Sequence, residues 1–317
     1  MLLQIQNLNV SYYTRRGEIR AVKNFSIDVE KSSTLGIVGE SGSGKSTLGL
    51  AIIGLVPPPG RVVSGKILFN GEDLLSFNKE GLRRTRGRRI SMIFQDPMTS
   101  LNPVMNIEDH FLEMQKVHEP EIPREKAKAR VRKLLEELGI SDERSKDYPH
   151  QFSGGMRQRV MIGLALLLNP DLVIADEPTT SLDVVVEAQI LELLKRLKKA
   201  YNLTLILITH NVGIIAETAD NVAVMYAGEL MEVSSTEKLF EKPLHPYTEA
   251  LLQSVPHLMA SGQALTWIPG VPPNLLSPPP GCPFHPRCRY AFDKCKVVDL
   301  QHTKVDEERT VACHLYS

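Results

Sequence analysis

"TLGIVGESGSGKST", residues 34–47, joins an apolar run to a glycine-rich turn and then to a helix-forming stretch. The apolar part, ending at Gly39, reads as a strand buried on both faces. The turn has the spacing of a phosphate-binding loop: glycine, four residues, then Gly44-Lys45-Ser46. Its glycines let the backbone turn so that successive N–H groups point inward at phosphate oxygens. Lys45 then reaches the β- and γ-phosphates of a nucleotide, and the Ser46 hydroxyl can ligate magnesium. A helix that starts at Lys45 adds its positive dipole end. Ser41, Gly42, Ser43, Gly44, Lys45, Ser46 and Thr47 are therefore the expected nucleotide cradle.

Outward from this centre, strand and helix patterns alternate. "LLQIQNLNVSYY" (2–13) and "AVKNFSIDVE" (21–30) alternate in polarity, which suits half-buried antiparallel strands. "KILFN" (66–70), "ISMIFQ" (90–95), "LVIAD" (172–176), "LTLILIT" (203–209) and "NVAVMYAG" (221–228) also read as strands. Helical patterns occupy 45–55, most of 104–140, about 155–169, and 184–201, with a short one after 209. Strands alternating with helices predict an α/β fold with a mainly parallel sheet. The helical block at 96–158 reads as an insertion into it. Beyond residue 255, "IPGVPPNLLSPPPGCPFHP" (268–286) is proline-rich and without periodicity, so it reads as extended loop. The expected division is a main domain at 1–260 and an extension at 261–317. No internal repeat of a solenoid is present.

Composition narrows the class. Lysine plus arginine equals aspartate plus glutamate at 37 each, so no global field favours nucleic acid or anionic membrane. Apolar runs such as "VMIGLALLL" (160–168) are far shorter than the ~20 residues needed to cross a bilayer. The N-terminus lacks the basic, apolar and small-residue succession of a signal peptide. A cytoplasmic protein is expected, in which thiols stay reduced.

Two further stretches carry chemistry. "LVIADEP" (172–178) delivers Asp176 at the end of an apolar strand, placed to bind magnesium, with Glu177 beside it as a base for the attacking water. "FSGGMRQR" (152–159) opens a helix with a serine and two glycines, another donor-rich anion site. Taken alone, Ser153 is equally well an ordinary helix cap.

With "FSGGMRQR" lying between the two nucleotide motifs, the chain resembles the nucleotide-binding subunit of an ATP-binding-cassette (ABC) transporter. Gln95 in "FQDPMTSLNP", "SLD" at 181–183 and His210 in "LITHN" extend the resemblance over residues 1 to about 255. It implies the ABC ATPase fold: a RecA-like parallel core, an antiparallel β subdomain and an inserted helical subdomain. It also implies roles. Gln95 would sense magnesium and the γ-phosphate, with Ser46 and Asp176 as the other magnesium ligands. His210 would be the switch histidine, and Glu177 the catalytic base. Ser153, Gly154 and Gly155 would cover ATP bound to an opposing subunit, with Asp183 at the same seam. The general signature begins Leu-Ser-Gly-Gly-Gln; here it is Phe-Ser-Gly-Gly-Met, with the phosphate-facing residues intact. Phe152 and Met156 match the peptide-importer branch.

Adenine needs an aromatic platform, worth about 1–3 kcal/mol. Tyr12 and Tyr13 are both in place, but neighbours on a strand face opposite ways, and alignment with the family's first strand favours Tyr12. The dense basic run "RRTRGRR" (83–89) has no interleaved aromatics and reads as a solvated loop.

The chain has no cysteine before residue 282, then Cys282, Cys288, Cys295 and Cys313. Zinc sites usually show close ligand pairs, and none occurs here. His285 and His314 keep a mixed zinc site open. Four thiolates on irregular loops suit a four-iron, four-sulfur cluster, which would also supply folding energy to a metal-binding extension without its own core.

"HPYTEALLQSVP" (245–256), "IPGVPP" and these cysteines resemble the C-terminal extension of dipeptide and oligopeptide importer ATPases. The expected function is ATP hydrolysis that powers peptide import from the cytoplasmic face of the membrane. Expected partners are a second, different ABC ATPase subunit, two transmembrane permease subunits and an extracellular peptide-binding protein, with no nucleic acid. The competing readings are a soluble cassette acting on nucleic acid or ribosomes, a regulatory cassette without turnover, and an importer of nickel or another small solute.

Overall fold

The computed structural model describes residues 1–180, 182–254 and 267–317. The chain divides into two compact units, residues 1–76 with 207–317 and residues 77–206. In the first, β1 (Leu3–Thr14) pairs antiparallel with β2 (Gly17–Val29). Leu3 and Ile5 face inward, then a bulge at Asn7 shifts the alternation so that Leu8 and Val10 are buried instead. β3 (Thr34–Val38) is buried along its whole length, as an apolar run before a phosphate loop should be. It leads through that loop into α1 (Lys45–Ile52). β4 (Gly60–Phe69) covers the other edge of β1, and β5 (Glu72–Asp73) follows, giving the order β2-β1-β4-β5. This is the expected antiparallel subdomain.

The second unit begins with α2 (Lys79–Thr85), capped by the Asn78 side chain accepting from the Gly81 N–H. The loop expected over 83–89 therefore starts inside a helix. Arg83 and Arg84 both turn back onto Glu80, 2.9 and 3.0 Å away, and hold its carboxyl down to about pKa 2. Next come β6 (Ile90–Ile93), α3 (Pro97–Ser100), α4 (Ile107–His118) and α5 (Arg124–Glu137). Phe111, Val131, Leu134, Leu135 and Leu138 form the buried side of these helices. α6 (Gly154–Leu166), β7 (Leu172–Asp176), α7 (Val184–Tyr201) and β8 (Thr204–Ile208) complete the unit. β7 runs parallel to β6 and lies between it and β8. All five β7 residues are buried, so the strand delivers Asp176 and Glu177 from a fixed base.

The chain then returns to the first unit. α8 (Val212–Thr218) precedes β9 (Asn221–Tyr226), which pairs parallel with β3. β10 (Glu229–Ser235) turns back antiparallel to β9 and makes the sheet mixed rather than purely parallel. After α9 (Thr236–Glu241), α10 (Pro246–Gln253) starts from two backbone N–H groups, of Leu244 and His245, that both donate to the buried Glu232 carboxylate at 2.9 Å. The extension carries α11 (Asp293–Val297), β11 (Thr303–Lys304) and β12 (Thr310–Val311). It is thus not wholly irregular: β12 pairs with the edge of β10. Two-residue strands are too short to leave a periodic signature, so sequence pattern missed them. Phe284 anchors the extension, 1% exposed, with ring centroids 5.3 Å from both Tyr226 and Tyr247. The boundary expected near residue 260 lies outside the described residues.

Candidate active site

The phosphate loop owes its shape to its glycines. Gly42 sits at φ +78, which favours glycine even though space around it is open. At Gly44 the limit is contact: a Cβ would lie 2.1 Å from the Ala21 carbonyl oxygen. Lys45 is buried and folds its ammonium back onto the loop, donating to the carbonyls of Gly39 (2.8 Å) and Glu40 (3.0 Å). Ser41 and Gly42 are exposed at the rim, and Ser43 is buried beneath it. The Tyr12 hydroxyl lies 3.4 Å from Thr47 Oγ1, so Tyr12 stands at the loop and first turn of α1. Tyr13 faces the other way, with the Arg61 guanidinium 4.4 Å from its ring centroid. His210 is exposed and follows Thr209, whose N–H donates to Ile37 two residues before Gly39.

In the second unit, Asp176 ends β7 and is 6% exposed. Glu177 follows at φ +46, a left-handed conformation costly for a residue with a Cβ. Its Oε2 accepts from Gln95 Nε2 at 2.9 Å and from Thr180 Oγ1 at 2.8 Å. The fold thus brings together two residues 82 positions apart that the sequence assigned separately. Thr180 was not foreseen; its only signal is its place one turn after the acid. Ser153 caps α6, accepting from the Met156 N–H, yet the residue is exposed, so capping and outward presentation coexist. Gly155 has a reason of its own: a Cβ there would meet Val186 Cγ1 at 2.4 Å. Asp183 caps α7 through the Val186 N–H. Ser181, the first residue of "SLD", lies outside the described residues.

The four cysteines are free thiols, and Cys282, Cys295 and Cys313 are buried. Burial, reinforced by the nearby Cys313, Cys295 and Cys288, pushes the Cys282 thiol up to about 12, so all four share one neighbourhood. Among the described residues, however, no group of three or more His, Cys, Asp or Glu side chains is arranged to hold a metal ion. The metal-binding character expected of the extension is therefore not shown. Of the two histidines of the zinc alternative, His285 places Nδ1 2.9 Å from the Cys282 carbonyl oxygen, while His314 has Nε2 2.9 Å from the Val298 carbonyl oxygen and Nδ1 3.3 Å from Ser317 Oγ.

Among described residues, no helix is long and apolar enough to cross a membrane. Residues 22–180 match the model of the ABC transporter family, and residues 231–295 match that of the oligopeptide/dipeptide transporter C-terminal region. The chain is 48% identical to a dipeptide transport ATP-binding protein, DppD, of Bacillus subtilis, covering 99% of this chain and 94% of the relative. It is 49% identical to the oligopeptide transport ATP-binding protein OppD of the same organism, covering 92% and 82%. Among solved structures, it resembles the dimeric post-hydrolysis state of the ATP-binding cassette MJ0796 bound to ADP and Pi. That likeness has a TM-score of 0.66 and 25% identity, over 74% of this chain and 99% of the other.

Proposed function

Because the chain belongs to the family of dipeptide and oligopeptide transport ATP-binding proteins, an ATPase that powers peptide import, we propose that it works by closing and reopening two cassettes around shared ATP sites. The observation that carries the hydrolytic part is the Glu177 carboxylate, held by Gln95 and Thr180 directly after the buried Asp176. Glu177 would take the proton of the attacking water, and Gln95 would report the γ-phosphate to the membrane partners. Lys45 and the loop N–H groups would bind the phosphates, Tyr12 would stack on adenine, and His210 would contact the γ-phosphate. Ser153, Gly154, Gly155 and Asp183 would face ATP on the opposing subunit. The oxygen donors Ser46, Asp176 and Gln95 suit magnesium, which withdraws charge from the β- and γ-phosphates when bound. ATP drives closure only through tighter binding to the closed state, and Ser153, exposed at the start of α6, would make that difference.

Importers of this family have permease and peptide-binding partners; two permease subunits and a distinct second ATPase are the arrangement proposed here, with the chain lying peripherally on the cytoplasmic face. Assembled in liposomes with its permeases, the protein should hydrolyse ATP faster when the binding protein is loaded with peptide. Turnover indifferent to peptide, but raised by nickel or by RNA, would overturn the substrate assignment.

We also infer that Cys282, Cys288, Cys295 and Cys313 take up a four-iron, four-sulfur cluster as a structural centre. Support comes from the donor set: four free thiols in one neighbourhood, in a chain otherwise without cysteine. Zinc held by a mixture of these thiols with His285 or His314 is the competing occupant. Anaerobically purified protein should be brown and carry about four irons per chain. Colourless anaerobic protein with one zinc per chain would sink the idea.

A further inference from the structure

The phosphate loop contains one carboxylate, Glu40, in a segment built to receive anions. Every polar group of that residue is engaged. Its N–H donates to the Tyr247 hydroxyl at 2.9 Å. Its carbonyl accepts from the Lys45 ammonium at 3.0 Å and from the Ser43 N–H at 3.2 Å. Its carboxylate is gripped by both terminal nitrogens of Arg287, at 2.6 and 3.0 Å. Arg287 comes from the extension, between Cys282 and Cys288, and 247 positions separate the pair. Its side chain is only 5% exposed. The remaining donors are also directed: Nε to the Pro269 carbonyl at 2.8 Å and Nη1 to the Tyr226 hydroxyl at 3.1 Å. A two-pronged guanidinium–carboxylate pair fixes direction as well as charge.

We propose that Arg287 is a positioning residue for nucleotide binding: it neutralises Glu40 and holds the Gly39–Glu40 peptide whose carbonyls seat Lys45. This rests on the ATPase reading and adds to it a task for the extension that none of the motif residues performs. Without Arg287, a bare carboxylate would remain within the phosphate loop, where it repels the nucleotide. Two unit charges separated by several ångströms at a partly solvated site interact strongly enough to change affinity roughly tenfold. The loss falls on binding rather than on chemistry, because what Glu40 seats is Lys45, a residue proposed to bind phosphate.

The test is equilibrium binding of MgATP to the full chain. Arg287→Gln should raise Kd about tenfold. Adding Glu40→Gln to that variant removes the uncompensated charge and should restore Kd to within about threefold of the parent. Arg287→Lys keeps the charge and loses the fork, so it should weaken binding about threefold. An arginine that merely glues the extension down would lower the melting temperature, yet Glu40→Gln would then rescue nothing. The proposal is overturned if Arg287→Gln binds like the parent, or if the double variant binds no better than Arg287→Gln. Should Arg287→Gln fail to fold, an Arg287→Lys Kd equal to the parent's overturns it. Failure of the parent itself to bind MgATP would instead overturn the ATPase reading.

Discussion

Glu177→Gln is expected to lower ATP turnover by about 10²–10⁴-fold while ATP binding stays near that of the parent. Two hydrogen bonds to this side chain, from Gln95 and Thr180, end on the same oxygen, Oε2. A glutamine can place its carbonyl oxygen there and keep these two bonds while losing the basicity of the carboxylate. The left-handed backbone at φ +46 is equally accessible to either residue, which leaves the local fold unchanged. Binding should survive because the phosphate cradle lies in other residues, led by Lys45 and the loop N–H groups. The substituted protein should therefore accumulate as an ATP-stabilised dimer, visible by gel filtration with MgATP. Steady-state phosphate release at a near-normal rate would remove Glu177 from the role of base.

Ser153→Arg should block hydrolysis, by about 10²-fold or more, with nucleotide affinity of the isolated chain little altered. Ser153 is exposed at the start of α6, where bulk and positive charge would prevent an opposing cassette from closing. The same substitution removes the cap on the Met156 N–H, worth about 1 kcal/mol. Ser153→Ala isolates that smaller effect and should cost far less activity. A mixed dimer separates the models further. With Ser153→Arg in one subunit and Lys45→Ala in the other, a shared-site arrangement puts both lesions into one composite site and leaves the other complete. Equal loss at both sites would show that each subunit uses its own signature.

The parts of the site that sequence made legible are those built from contiguous chain. A phosphate loop works through consecutive backbone N–H groups, so Gly39 to Thr47 carries in one stretch both its geometry and the chemistry proposed for it. The same holds for Asp176 and Glu177 at the end of β7, and for the Ser153 cap at the start of α6. The β1 alternation likewise announced a half-buried strand, although the bulge at Asn7 moved its second half to the other parity. Where local pattern is weak, reading failed. β10 and the two-residue strands of the extension have too few alternating positions to register, and the basic run at 83–89 hid the last turn of α2, because i,i+3 and i,i+4 pairing with Glu80 makes arginines helix-compatible there.

By itself, then, the amino-acid sequence pointed to the ATP-binding-cassette architecture and the peptide-importer branch, since each is carried by short motifs of contiguous residues. Only the tertiary structure decided how the pieces are held. It pinned Glu177 from Gln95, 82 positions away, showed that Tyr12 rather than Tyr13 stands beside Thr47, and engaged His285 and His314 with backbone carbonyls. It also joined Arg287 to Glu40 across 247 positions, a pairing with no spacing signature. The physical reason is common to all of these. A contact made by closing a long stretch of chain depends on the packing of everything between, and that packing, not the local sequence, selects which side chains meet.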